Sequence, residues 1–408
     1  MNLVKATKMV YFKNMLNEEM NDKPSNRLAR IDICYVRRQL TSITHIITGL
    51  DVGGAERALY SILTNGLEGP FSNRVISLMG PGHYGPLFRE AGIPVSCLHM
   101  RPGNPTPGAL RRFAAAVSKG PTDIMQGWML HGNLAATLGR RWANRDAALL
   151  WNQRTSLDAV GDETRIKRGL IRLEARLSGA PQAIIYNSVR SRRQFAEYGY
   201  NDDRALHLPN GFDTNKWAPN AAARQAIRQE LGLPQDATVI GYVGRGHPEK
   251  DPELLFQTFR SVSKRHKDAW LVAIGRDLDR FNPPEQNTIL LGQRSDVQDL
   301  MRVMDIFCLS SRTEGFPNVI GEAMATGLPC VTTDVGDARD IVGETGWVAP
   351  PRSPERLADC LDEALSCPSE SLRERGCRAR NRIVAQFSIA SVVDRYASLY
   401  RSIAKECA

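Results

Sequence analysis

Residues 305–334 read Asp305-Ile-Phe-Cys-Leu-Ser310-Ser-Arg-Thr-Glu314-Gly-Phe-Pro-Asn318-Val-Ile-Gly-Glu322-Ala-Met-Ala-Thr-Gly327-Leu-Pro-Cys330-Val-Thr-Thr-Asp334. The runs 305–309 and 329–333 have the composition of short buried strands. Between them lie a loop broken by Gly and Pro and a helix over about 318–325. Strand, loop, helix, strand is the repeating unit of a parallel α/β sheet. Two carboxylates sit in it, Glu314 in the loop and Glu322 inside the helix, while Gly315 and Gly321 let backbone approach closely. The first-turn amides of the helix lack intrahelical acceptors, and the helix dipole is positive there. We therefore expect a phosphate on this helix end, with the glutamates on either side holding hydroxyl-rich groups.

The same alternation extends outward. Upstream, strands are expected at 43–48, 74–78, 94–98, 123–126, 148–151 and 183–187, with helices opening near 55 and then over 86–91, 109–117, 132–143, 164–177 and 190–198. The turn-rich segment 206–213 reads as a crossing between domains. A second alternation follows, with strands at 238–244, 270–274 and 288–291 before the quoted unit, then helices at 354–365, 371–386 and 390–403. The fold class is α/β: two Rossmann-like, doubly wound parallel-sheet domains facing a central cleft. The expected division is an N-terminal extension 1–41, a first domain 42–208 and a second domain 209–387. The amphipathic helix 388–408 docks back on the first domain. Disorder, a peripheral helix and an upstream start-site artefact are all open for residues 1–41.

With 408 residues, 42% apolar and 24% charged, the chain has the composition of a globular protein of two ordinary domains. No apolar run reaches the length of a membrane span, and the mixed polar N-terminus has no signal-peptide pattern. The eight cysteines show no CxxC or other metal-ligand spacing, and Cys308 and Cys330 fall in expected buried strands, so a reduced, cytoplasmic setting is expected. The net charge of +9 is concentrated between Arg140 and Arg193. Phosphate-bearing substrates, an anionic membrane surface and a plain solvated face all suit it. Nucleic acid ranks last, since no zinc finger, RNP-like strand or basic zipper is present. The helix 164–177 alternates apolar and basic residues; a sheet-covering helix is the favoured reading and a helix lying on anionic lipid the functional alternative.

Ligands of open α/β sheets bind beyond the carboxyl ends of strands. Four stretches hold that place: 49–54, 126–132, 244–250 and 310–318. Arg245 and Lys250 follow a strand ending in Gly244, and two fixed cations there suit a diphosphate. Gly53-Gly54 lacks the full GxGxxG dinucleotide fingerprint and, taken alone, is a tight strand-to-helix turn; a Rossmann oxidoreductase is disfavoured. His131, at a strand mouth, is placed to donate to a hydroxyl or to developing negative charge, although a lone histidine is more often structural. Asn210 reads as a turn residue of the crossing.

Together these stretches resemble the retaining glycosyltransferases of the GT-B fold, family four (group 1), of the exopolysaccharide and O-antigen type. The resemblance runs from about Ser42 onward. Its strongest element is the E-x7-E pattern, matched by Glu314 and Glu322 in their quoted setting. Val243-Gly244-Arg245 with Lys250 resembles the diphosphate-binding turn, Pro209-Asn210-Gly211-Phe212-Asp213 the interdomain motif, and Gly49 to Glu56 the acceptor-side glycine loop. The resemblance implies that Glu314 contacts hydroxyls of the donor sugar and Glu322 those of the donor ribose. Gly315, Phe316, Pro317, Asn318 and Val319 would hold the distal phosphate. Arg245 and Lys250 would neutralise the leaving diphosphate without a metal, Arg294 would cradle the base, His131 would face the donor sugar, and Gly53 and Gly54 would meet the acceptor. One departure is Gly246-His247 before Pro248, where relatives often carry an apolar residue.

The implied partners are a nucleotide-diphosphate sugar, as substrate rather than cofactor, and a glycan or lipid-linked acceptor. Peripheral contact with an anionic membrane on its inner face is the implied location. A nucleotide-sugar epimerase of the same fold and a non-catalytic sugar-nucleotide-binding subunit are the alternatives.

Overall fold

A computed structural model describes residues 40–101, 106–158, 160–284 and 286–406. The expected extension 1–41 lies outside them, apart from its last two residues. In chain order the first half runs β1 (Thr41–Ile47), α1 (Gly54–Thr64), β2 (Phe71–Ser77), α2 (Tyr84–Glu90), β3 (Val95–Cys97), α3 (Pro107–Val117) and β4 (Ile124–Trp128). It continues with α4 (Met129–Ala143), β5 (Ala148–Gln153), α5 (Arg165–Leu177), β6 (Ala183–Tyr186), α6 (Val189–Glu197) and β7 (Ala205–His207). The strand order is β3-β2-β1-β4-β5-β6-β7, and every pairing is parallel. β4 and β5 are buried along their whole length, as strands covered on both faces must be.

The second half runs α7 (Ala221–Glu230), β8 (Thr238–Val243), α8 (Pro252–Val262), β9 (Ala269–Ile274), β10 (Thr288–Leu290), α9 (Val297–Met301) and β11 (Ile306–Leu309). Then come α10 (Asn318–Ala325), β12 (Cys330–Thr333), α11 (Ala338–Val342), β13 (Trp347–Ala349), α12 (Pro354–Leu365), α13 (Ser369–Phe387) and α14 (Ile389–Glu406). Its strands, also all parallel, are ordered β10-β9-β8-β11-β12-β13. In each sheet the winding direction reverses once, between β1 and β4 and between β8 and β11. Those two reversals open crevices at the carboxyl ends of the strands.

One expectation needs correction, and two of the elements were not anticipated. The segment 206–213 begins with β7, and Leu208 N–H still donates to Tyr186 C=O at 2.9 Å, so the crossing starts at Pro209. β13 is a further unanticipated strand, three residues long like β7. Helix α7 escaped notice because its one buried residue is Arg228, which, like Arg224, ties the helix to Asp305 and neighbouring carbonyls.

The chain passes between the sheets twice, at 209–212 and 387–389, and the two passages are bonded to each other. Phe212 N–H donates to Phe387 C=O and Ile389 N–H to Phe212 C=O, both at 2.8 Å. α14 then returns to the first sheet, where Val392, Tyr396, Tyr400 and Ile403 enter the core beside Ile43, Leu59 and Ile124. Asp337, at the start of α11, accepts from Ser188 Oγ (2.6 Å), Val189 N–H (2.8 Å) and Arg190 N–H (3.1 Å), so a second-domain carboxylate caps α6 of the first. Cys308 and Cys330 are fully buried, and burial pushes the Cys308 thiol up to about 12.

Candidate active site

β8 ends against β9, with Gly244 N–H on Ile274 C=O (2.9 Å) and Gly246 N–H on Arg276 C=O (2.7 Å). A Cβ at Gly246 would stand 2.1 Å from Asp277 C=O, so only glycine passes there. The loop then reaches Asp251, which takes a left-handed conformation (φ 46°) as the N-cap of α8. Arg312 holds the Asp251 carboxylate through two bonds, of 2.7 and 3.0 Å, and Arg312 N–H donates to Glu249 C=O at 2.7 Å. Ser310 Oγ donates to Lys250 C=O at 3.0 Å. These bonds lash the loop after β8 to the loop after β11. The result is Lys250 Nζ 2.5 Å from Glu314 Oε1, an oxygen that also accepts from Ser311 Oγ at 2.7 Å. Arg245 is half exposed, with Glu249 Oε2 at 3.6 Å. His247, the departure noted above, turns its Nδ1 to Glu249 at 3.4 Å.

α10 starts after Pro317 with no side chain capping it; Ile320 N–H turns back to Pro317 C=O at 3.1 Å, and Asn318 and Val319 of the first turn line the cleft. Asn318 Oδ1 accepts from Asn210 Nδ2 at 2.7 Å. One turn on, Glu322 meets Arg57 of α1 at 3.0 Å. Gly321 is required by packing, since a Cβ there would fall 2.1 Å from the Phe212 ring. Gly315 is less constrained, with the backbone of Thr155 and Ser156 at 3.7–3.8 Å from an added Cβ.

The first domain answers with Gly53 and Gly54 at the start of α1, and with Arg154, Thr155 and Ser156 after β5. Arg154 lies at a junction. It stacks on Trp128 at 4.9 Å and donates to Asn152 Oδ1 (3.0 Å), Tyr396 OH (2.9 Å) and Asn210 Oδ1. Asn187 Nδ2 also donates to Asn210 Oδ1, at 3.3 Å. One guanidinium thereby joins the first sheet, the crossing and the returning helix α14.

Three cavities run along the cleft and share Gly54 and Asn318 as walls. The first, about 310 Å³, is bounded by Arg57, Tyr84, Arg154, Trp217 and Glu322. The second, about 320 Å³, is bounded by Arg154, Asn187, Arg245, Lys250, Glu314 and Gly315. The third, about 290 Å³, lies between Gly53, Arg57, Lys250, Glu314 and Val319. Arg57, Arg154, Arg245 and Lys250 face Glu314 and Glu322 along one continuous space. An elongated ligand with a central diphosphate and hydroxyl-bearing ends matches that sequence of charges.

Of the residues expected from sequence, Arg245, Lys250, Glu314, Glu322, Gly315, Phe316, Pro317, Asn318, Val319, Gly53 and Gly54 all line these cavities. Gly244, Arg294 and His131 do not. Arg294 is turned onto Asp296 through two bonds, of 2.8 and 2.6 Å. His131 sits exposed on the first turn of α4, crowded enough that desolvation, and then Lys167, lower its pKa. The stretch 126–132 lines none of these three cavities: β4 passes into α4 through Met129 (φ 64°), and Trp128 lies beneath Arg154 at 4.9 Å. Arg57 and Arg154 went unnoticed: the sequence offered Arg154 only as one cation in a basic stretch. Asn210, read as a turn residue, is in fact a shared acceptor at the centre of the cleft.

Residues 223–382 match the family model described as Glycosyl transferases group 1. A UDP-Gal:alpha-D-GlcNAc-diphosphoundecaprenol alpha-1,3-galactosyltransferase of Escherichia coli is 28% identical over 47% of this chain; the match spans 53% of that enzyme, about half its length. A D-inositol 3-phosphate glycosyltransferase of Xylanimonas cellulosilytica is 26% identical over 84% of this chain and 87% of its own. In fold, HepE of Anabaena, solved in complex with UDP, superposes with a TM-score of 0.78 at 20% identity, covering 89% of this chain and all of that one. The two-sheet body therefore has the GT-B architecture, and residues 223–382 carry a Glycosyl transferases group 1 domain.

Proposed function

We propose that the protein is a retaining, metal-independent glycosyltransferase that moves a sugar from a nucleotide-diphosphate sugar, with uridine as the leading base, to a hydroxyl of a glycan or lipid-linked acceptor in envelope polysaccharide synthesis. It would act in the cytoplasm, at the inner face of the membrane. The observation that carries this reading is the pairing in the cleft. Lys250 rests on Glu314 at 2.5 Å and Arg57 on Glu322 at 3.0 Å, so each carboxylate is matched by a cation. A nucleotide sugar can exchange both pairs without orphaning a charge. Its phosphates take Lys250, its sugar hydroxyls take Glu314, and its ribose hydroxyls take Glu322 as the half-exposed Arg57 turns to solvent.

In the reaction, the bond from the sugar's C1 to the diphosphate oxygen breaks, and negative charge grows on the leaving phosphate. Arg245, Lys250 and the first-turn amides of α10 meet that charge in preorganised positions. The acceptor hydroxyl forms the new bond on the same face of the sugar and gives its proton to the departing phosphate. Glu314 and Glu322 position the donor and transfer no proton. A thermal-shift panel of nucleotide sugars and nucleoside diphosphates tests the reading; stabilisation by uridine members is expected, and no response from any member would refute it. Incubating the responding donor without acceptor separates transfer from epimerisation: an epimerised donor would favour the epimerase.

A further inference from the structure

We propose that helix α5 is a membrane-docking element that lies on an anionic lipid bilayer. At about 100° per residue the helix carries three separate stripes. Ile171 and Glu174 face the core and are buried. Ile166, Leu170, Leu173 and Leu177 form a second, apolar stripe roughly a quarter-turn away, in which Ile166 is 79% and Leu173 44% exposed. Arg165, Arg172 and Arg176 form a third, exposed stripe on the far side of the apolar one. Among the described residues none of these three arginines pairs with a carboxylate, whereas Lys167 is paired with Glu163.

The rotation of the helix is fixed. Glu174 accepts from Asn133 Nδ2 (2.7 Å), Gln153 Nε2 (2.8 Å) and Tyr200 OH (2.6 Å), three bonds from three different elements. Ile166 and Leu173 therefore cannot roll inward to bury themselves without breaking a buried polar cluster. An exposed isoleucine beside a row of free arginines is the pattern by which a helix settles at a headgroup boundary, apolar stripe in the acyl region and guanidinium groups on the phosphates. Self-association fits less well, because a two-fold partner would set the arginine row against its own copy.

The location bears on the cleft. The loop leading into α5 carries Thr155 and Ser156 of the second cavity, and Asp158 on it accepts from Thr313 Oγ1 across the cleft at 3.0 Å. Ile166 follows Ser156 by ten residues. A bilayer seated on α5 lies beside the cleft, where a lipid-linked acceptor would enter. The inference rests on the proposed function only for that purpose, not for the docking itself.

The test is co-sedimentation of the full chain with phosphatidylcholine vesicles, with and without phosphatidylglycerol. Binding is expected only to the anionic vesicles and weakens as salt rises. Replacing the three arginines by Gln lowers partitioning by about a hundredfold. The double substitution Ile166→Ser, Leu173→Ser lowers it with the fold retained, since both side chains are exposed; circular dichroism checks this. Lys250→Ala, aimed at the cleft, leaves vesicle binding unchanged. Equal binding to neutral vesicles, unaltered binding by the α5 variants, or dimerisation through α5 without lipid binding would each overturn the proposal. A cleft that binds no nucleotide would leave the vesicle result untouched, so the two readings fail separately.

Discussion

Arg57 and Glu322 offer the sharpest test of the donor site. Glu322 is the carboxylate assigned to the ribose, yet Arg57 from the other domain already occupies it at 3.0 Å. The Arg57 side chain is 49% exposed and that of Glu322 8% exposed, so the pair lies between a solvated ion pair and a buried one. Such a pair contributes about 1 kcal/mol, which donor binding must give up. Arg57→Ala removes the competitor and leaves Glu322 nearly buried and unpaired, so UDP binding measured by titration calorimetry is expected to tighten about fivefold. Glu322→Gln should weaken binding, and the double variant should match Glu322→Gln, because without the carboxylate there is nothing for Arg57 to block. If Arg57→Ala instead weakens UDP binding tenfold, Arg57 is a phosphate ligand and the competition argument is wrong.

Other outcomes follow from the same geometry. Lys250→Ala is expected to lower transfer by one to two orders of magnitude, from a charge-assisted contact of about 1.5–3 kcal/mol. Arg245→Ala should cost less, because Arg245 is 50% exposed against 26% for Lys250; steady-state rates with the responding donor decide the order. Burial raises the Glu174 pKa from its ordinary 4.5 to about 7, so folding favours the protonated form. Its contribution to stability is full below pH 4.5 and lost as pH rises through about 7, on the order of 3 kcal/mol in all. Denaturant titrations across that window should show the slope, and Glu174→Gln should flatten it. Gly321→Ala drives a Cβ to 2.1 Å from the Phe212 ring, and about 1–3 kcal/mol of destabilisation with weaker UDP binding is expected; a melting temperature equal to wild type would show that the ring yields.

The quoted stretch 305–334 made both the fold and half of the cleft legible, because its strand, loop and helix signals and its glutamates are local. What stayed hidden depends on distant partners or on polar packing. Arg154 takes its place from Asn210, 56 residues on, and Tyr396, 242 residues on, and no spacing rule connects them. Helix α7 is held largely by Arg224 and Arg228 on backbone carbonyls, with only Ile227 and Leu231 packing on the core, so its apolar stripe is too thin to read. β7 and β13 run straight into turn-forming residues, Pro209-Asn210-Gly211 and Pro350-Pro351, that read as loop. His131 was placed by the rule that ligands sit beyond strand ends, and Arg294 by the family resemblance alone. Neither lines the three cavities, because which side chains turn inward at a sheet edge depends on partners such as Asp296 of Arg294.

The paired bonds between Phe212 and residues 387 and 389 have a mechanical consequence. Two independent crossings would let one half of the molecule slide, twist or open against the other. Crossings locked side by side at a single parallel bridge resist shear along their length, since sliding would have to break both bonds. Rotation about that bridge would leave both bonds intact but would strain the Asp337 cap on α6 and the Thr313–Asp158 bond. An opening that turned about this bridge would part Arg57 from Glu322 while Lys250 and Glu314, whose loops are lashed together, stayed paired.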